Sequence, residues 1–187
     1  THELVDYRPN STFRIWRSNK VVDYDPHWHT AVELLYATSG TCAVDCDATH
    51  YELSSGSILI IPSGKLHSMS SQPQSEHFVF LFELDDIMDL KGFTSLMPLM
   101  LHPISITPGS PFHEKALSLL KQSISAYFSD DGFEELENYA RIMMLYALIG
   151  REHFNTVKQS ANVSSEKRQE HLAVIQNVMD YIDQHYM

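Results

Sequence analysis

Three imidazoles and one carboxylate stand at spacings that suit a metal. His27, His29 and Glu33 lie in the run His27-Trp28-His29-Thr30-Ala31-Val32-Glu33, which Gly40 closes. His67 ends a second run that starts at Gly56 and passes through Pro62-Ser63-Gly64. Neutral imidazole ligates Zn, Ni, Cu and Fe(II), and a carboxylate extends the choice to Mn. Three His and one Glu fill a tetrahedral ion and leave positions open on an octahedral one. The residues do not choose the metal. Lys65 and Tyr36 are candidates to contact a small molecule in the same pocket, Lys65 as a charge near His67 and Tyr36 as an aromatic surface.

Such a set works only if the chain gathers it. On a strand over 30–37, alternation predicts that His27, His29 and Glu33 share one face while Trp28, Val32 and Leu34 take the other. His67 must then come from a neighbouring strand. Short runs rich in β-branched and aromatic residues support that setting: Phe13–Arg17, Val21–Tyr24, Val32–Thr38, Thr41–Cys46, Tyr51–Leu53, Ile58–Ile61 and His77–Glu83. Turn residues separate them, a rhythm that predicts an antiparallel sandwich or barrel. Ile58–Ile61 is apolar at every position, so that strand is expected to be covered on both faces. Trp28, Tyr36, Phe78, Phe80 and Phe82 are expected in the barrel core, and any on its inner face could stack on a sugar ring.

The period changes after Pro111. Ala116, Leu117, Leu120, Ile124, Tyr127 and Phe128 form one helical stripe, and Phe133, Leu136, Tyr139, Ala140, Met143, Met144, Ala147 and Leu148 a second. The break at Asp130-Asp131-Gly132 predicts an antiparallel αα-hairpin. Residues 85–111, with Pro98, Pro103, Pro108 and Pro111, read as a wrapping segment with one helical turn. The polar residues 155–168 read as a linker. Leu172, Ile175, Val178, Met179, Ile182 and Tyr186 begin a third stripe, expected to be the first helix of a truncated domain.

Bulk properties narrow the function classes. The 187 residues carry 13 Lys and Arg against 24 Asp and Glu, a net charge of −11. Phosphate contact needs a basic surface, so nucleic-acid binding by these residues alone is disfavoured. No apolar run approaches the ~20 residues of a membrane span, and a cytoplasmic location is the expectation. Cys42 and Cys46 would share a strand face about 13 Å apart, too far to bridge, and are read as small semi-buried thiols.

The two histidine runs resemble the paired motifs of the cupin superfamily. The first has His27-x-His29, three residues, Glu33, six residues and Gly40; the second has Gly56, five residues, Pro62-x-Gly64, two residues and His67. The second departs at its last place, where the superfamily's Asn is Ser71. A small cupin barrel, a helical hairpin, a polar linker and the segment from Ile175 to Tyr186 together resemble AraC-type transcriptional regulators. That resemblance implies a cupin-like jelly-roll effector-binding barrel over 1–111, a dimerisation hairpin over 112–154, a linker over 155–168 and, over 169–187, the opening helix of a DNA-binding domain. It implies a homodimer through 112–154, a carbohydrate or other small-molecule effector, and promoter contact only through the missing C-terminal domain. Three readings of the His/Glu set compete: an effector-contacting scaffold, a bound divalent metal (Zn, Ni, Fe or Mn), and a metal-dependent cupin enzyme of the dioxygenase or sugar-isomerase type. The expectation is a sensor and not an enzyme, because fold likeness does not carry chemistry.

Overall fold

The computed structural model describes residues 1–161 except 22, 89, 91, 130 and 131. Thr1–Leu148 form one compact unit, and Ile149 opens a second. Residues 162–187 lie outside the described residues, and with them the expected third helical stripe and the second half of the expected linker.

The first half is β, in two sheets. The strands are β1 (Phe13–Ser18), β2 (Asp23–His27), β3 (Val32–Ser39), β4 (Thr41–Cys46), β5 (Thr49–Ser54), β6 (Ile58–Ile61), β7 (His67–Ser71), β8 (Glu76–Phe82) and β9 (Ile104–Ile106). One sheet has five strands in the order β1-β8-β3-β6-β9, and the other has four in the order β2-β7-β4-β5. All the strand pairings are antiparallel. This is the jelly-roll architecture expected of a cupin-like chain. β7 and β9 are strands that the apolar runs did not predict. His-Ser-Met-Ser-Ser and Ile-Ser-Ile are too polar or too short to stand out as runs.

The space between the sheets is filled by Leu35, Ala37, Cys42, Val44, Cys46, Leu53, Leu59, Ile61, Met69 and Val79. Both cysteines are therefore fully buried, deeper than their sequence setting suggested, and both are free thiols. Burial pushes each thiol up to about 11, so neither is a thiolate at neutral pH. The turn between β3 and β4 needs Gly40. Its φ is +66°, and a Cβ there would come within 2.7 Å of the Ser75 backbone.

The five-stranded sheet has a second apolar face. β3 alternates Glu33, Leu35 and Ala37 inward with Val32, Leu34 and Tyr36 outward, and Val32 through Ala37 are all buried. β6 is likewise buried at all its positions, as expected for a strand covered on both sides. The expectation that Phe78, Phe80 and Phe82 line the barrel is corrected here. Register pairs them with Tyr36, Leu34 and Val32, so these rings lie on the outer face, while Val79 and Leu81 point inward. The outer layer belongs to the helices. Tyr139 donates to the Glu83 carbonyl at 2.9 Å and packs edge-on against Phe13 at 5.4 Å.

The helices are α1 (Phe93–Met100), α2 (His113–Tyr127) and α3 (Glu134–Ala161), with a 3-10 turn at Asp85–Ile87. The wrapping segment thus holds a two-turn helix, longer than the single turn expected. α2 buries Ala116, Leu119, Leu120, Ser123 and Tyr127. His113, at its start, bonds through Nε2 to the Gly56 carbonyl at 2.8 Å and so ties α2 to the β5–β6 turn. α3 has two apolar faces. Ile142, Leu145 and Tyr146 are buried, whereas Leu136 and Met144 are more than half exposed. α3 continues through Ala161, so the first residues of the expected linker are helical.

Candidate metal centre

The four metal-ligand candidates converge, but by a different route from the one alternation predicts. β2 ends at His27, β3 begins at Val32, and His29 sits in the connection between them. His27 pairs with His67 across the β2–β7 ladder in the four-stranded sheet. Glu33 comes from β3 in the opposite sheet, its side chain aimed inward like Leu35. The site is therefore closed between two sheets, not along one strand. One ligand atom from each of His27, His29, Glu33 and His67 lies within 4.8 Å of all the others. His29, Glu33 and His67 are buried, and His27 is partly covered.

Each ring is oriented by its own backbone. Nδ1 of His27 lies 2.8 Å from the Asp25 carbonyl, that of His29 3.0 Å from the Ala31 carbonyl, and that of His67 2.9 Å from the Lys65 carbonyl. A carbonyl only accepts, so each Nδ1 must carry the proton. A ring held this way points Nε2 toward the common centre, with its lone pair free for a ligand whenever that nitrogen carries no proton. This is the outer hydrogen bonding that fixes tautomer and direction in metal-ligating histidines.

The centre is electrostatically incomplete without a cation. His29 Nε2 and His67 Nε2 stand 3.0 and 3.3 Å from the same Glu33 Oε2. With both rings neutral, two lone pairs would face a carboxylate oxygen. A shared proton or a metal ion must supply positive charge there. His67 Nε2 is buried and makes no well-formed hydrogen bond, an acceptor left open at the centre. Burial by itself would push the Glu33 carboxyl up; positive charge on the facing His29 and His67 rings, which a proton shared at this centre supplies, outweighs it and holds it at about 2. Burial likewise opposes a charged His67, but Glu33 and the Lys65 carbonyl prevail and raise its pKa. The donor set and the orphaned nitrogen both fit a divalent ion.

Two other expected pocket residues are placed elsewhere. Tyr36 faces the opposite side of β3 from Glu33, beside Phe78 at 6.5 Å between ring centroids, so it does not join this pocket. The Lys65 ammonium pairs with Asp47 at 2.8 Å, and the residue's link to the cluster is its backbone carbonyl. Glu3 was not singled out from the sequence, yet its carboxylate lies 3.4 Å from His27 Nε2. No motif signals it, because its proximity comes from pairing of the N-terminal segment with Trp28, where the Glu3 amide donates to the Trp28 carbonyl at 2.9 Å. The interior space beside the cluster, bordered by Trp16, Tyr24 and Met69, is about 30 Å³. That holds one or two waters and is far below the volume of small-molecule pockets. A surface groove of about 430 Å³ runs outside it, between residues 1–4 and Tyr24–His27.

Fold and site together define a cupin-like β-sandwich with a buried His₃Glu centre and C-terminal helices. The family described as the AraC-like ligand binding domain matches residues 11–146, and the chain belongs to that family. No curated protein matches the chain significantly in sequence. Among solved structures, ToxT from Vibrio cholerae, bound to (E)-4-(8-methylnaphthalen-1-yl)but-3-enoic acid, is 14% identical with a TM-score of 0.50, over 80% of this chain and 58% of its own. An oxalate decarboxylase from Bacillus subtilis is 18% identical with a TM-score of 0.35, over 40% of this chain and 22% of its own. A cupin-superfamily protein from Desulfitobacterium hafniense is 11% identical with a TM-score of 0.34, over 38% of this chain and 65% of its own. The chain thus spans less than two thirds of each of these structures. Among the described residues, no helix is long and apolar enough to cross a membrane.

Proposed function

We propose that this chain is the effector-sensing and dimerising part of an AraC-type transcriptional regulator of the cytoplasm, and not a catalyst. The family match over residues 11–146 is the observation that carries the reading. The ligand held by ToxT supports a small organic effector. Promoter contact is not assigned to these residues, since the acidic balance of this chain opposes phosphate contact. A homodimer through 112–154 is supported by the α3 stripe of Leu136, Ala140 and Met144, which is largely exposed.

His27, His29, Glu33 and His67 would hold a divalent ion, with Zn, Ni, Fe and Mn all compatible with the donors. When bound, the ion supplies the positive charge that the facing lone pairs need. His27 and His67 present it from one sheet and Glu33 from the other, so the ligands clamp the two sheets at the β2–β3 connection. The backbone carbonyls of residues 25, 31 and 65 hold the rings in direction. Glu3 brings a further negative charge beside His27.

The same cluster favours a second reading, a metal-dependent cupin enzyme. The small space beside it weighs against that, because a substrate has little room near the four ligands. The deciding experiment titrates the purified chain, with and without Zn or Ni, against sugars, organic acids and aromatic ketones. Melting temperature and ligand integrity are followed together. A saturable rise in melting temperature with the ligand recovered unchanged supports the sensor. Steady conversion of any ligand sinks it in favour of the enzyme.

A further inference from the structure

A cavity of about 200 Å³ lies outside the barrel, against the outer face of the five-stranded sheet. Val32 and Ile60 form its floor, Met88, Met97 and Met100 its cover, and Tyr146 of α3 one wall. The sheet itself separates it from the His/Glu centre, since Val32 points into the cavity while Glu33, the next residue, points into the barrel. We propose that this cavity binds a neutral, ring-sized aromatic molecule with one hydrogen-bond acceptor, which receives the Tyr146 hydroxyl.

Thr30, Ser63, Asp85 and His102 stand exposed at the cavity mouth, which leaves Tyr146 as the buried polar residue of its lining. Tyr146 is 3% exposed and packs on Phe93 at 5.6 Å between ring centroids. Its hydroxyl makes no hydrogen bond with any described residue and is not among the fully buried polar atoms, so it keeps access to the cavity space. A buried tyrosine hydroxyl ordinarily has a partner. Burial raises its pKa, so it remains a donor at neutral pH.

Size, charge and polarity set the ligand class. A cavity of about 150 Å³ in another protein takes up benzene, so this one has room for a ring with a small substituent. No Lys or Arg is among its described lining residues, and His102 and Asp85 lie at the exposed mouth, so a carboxylate inside the cavity would be buried against apolar walls. A sugar would bury several hydroxyls against Val32, Ile60 and the methionines without partners. Methionine side chains adapt to a flat ring and make favourable sulfur–aromatic contacts. The sensor reading is what gives such a site a purpose, and the proposal rests on it to that extent. Binding itself can be measured independently.

The test uses the full chain and three probes: acetophenone, ethylbenzene of similar shape without an acceptor, and anionic benzoate. Ligand-observed NMR and melting temperature report binding. Acetophenone is expected to saturate with Kd on the order of 1 mM, which about nine heavy atoms can support. Tyr146→Phe should weaken acetophenone about three- to tenfold, the range of one hydrogen bond, and leave ethylbenzene unchanged. Met97→Trp, which fills the cavity, should abolish both. The Tyr146→Phe comparison decides alone if Met97→Trp does not fold. Absence of saturable acetophenone binding, benzoate binding more tightly, or equal effects of Tyr146→Phe on acetophenone and ethylbenzene would overturn the proposal. A different effector that stabilises the chain while acetophenone fails would end this assignment and leave the sensor intact. Enzymatic turnover with acetophenone binding preserved would do the reverse.

Discussion

Glu33 and His67 reach each other from opposite sheets, Oε2 to Nε2 at 3.3 Å, with Nδ1 of His67 already committed to a carbonyl. Neither atom can satisfy the other without an added proton or cation. The contact is therefore both a weak point in the apo protein and a ready half of a binding site.

Glu33→Gln separates these two roles. The amide can donate to a histidine Nε2 that otherwise lacks a proton, so the metal-free variant should melt no lower than the parent. Its affinity for Zn or Ni should fall at least about tenfold, as losses around metal sites typically do. Calorimetric titration of metal into both proteins measures this; unchanged affinity would remove Glu33 from the centre.

Metal loading should raise the melting temperature. An ion at a hundred times its dissociation constant stabilises the folded state by about 2.7 kcal/mol if it does not bind the unfolded chain. EDTA should reverse the shift, and His67→Ala should not show it. A shift that survives His67→Ala would place the ion elsewhere.

His77 is buried in β8, and neither ring nitrogen has a hydrogen-bond partner. Burial lowers its pKa below the ordinary value. The unfolded chain then binds more protons as pH falls through about 6.5, so this residue costs stability increasingly in acid. His77→Leu should raise stability by about 1 kcal/mol at neutral pH and by more at pH ~5, because it removes an unsatisfied polar group and its titration. Urea unfolding of both proteins across that range checks it, and a constant difference with pH would refute the titration.

Gly40→Ala should destabilise by about 1–3 kcal/mol, since the residue combines a left-handed φ with a 2.7 Å approach to the Ser75 backbone. Thermal unfolding reads the loss. Gly64→Ala, also at positive φ but with no atom within 4 Å of its Cβ, should cost less.

The exposed α3 stripe gives the last prediction. Leu136→Lys with Met144→Glu should shift a dimer to monomer in sedimentation without lowering the secondary-structure signal, because both side chains are more than half exposed in the single chain. If the parent sediments as a monomer, the helical face is not a self-association surface.

Much of this protein was legible in its sequence. The spacing of His27, His29, Glu33 and His67 picked out four residues whose ligand atoms the fold gathers within 4.8 Å of one another. Alternating or continuous apolar runs marked β1, β3, β4, β6 and β8, and the change of period after Pro111 marked α2 and α3. These signals are local: alternation and helical periodicity follow from backbone geometry within a few residues. β7 escaped because polar residues alternate with His67 and Met69, and a strand buried on one face looks ordinary without its neighbour.

Tertiary structure alone decided what each face meets. Strand parity could not reveal that His29 lies between strands, that Glu33 approaches from the second sheet, or that Tyr36 and the Phe78, Phe80 and Phe82 rings face the helices. Those outcomes depend on sheet order and register between segments far apart in the chain, and nothing in a short stretch of residues encodes which distant surface will cover it. The cavity beneath Met97 and Tyr146 arises the same way, from a helix, a covering segment and a sheet that meet only on folding.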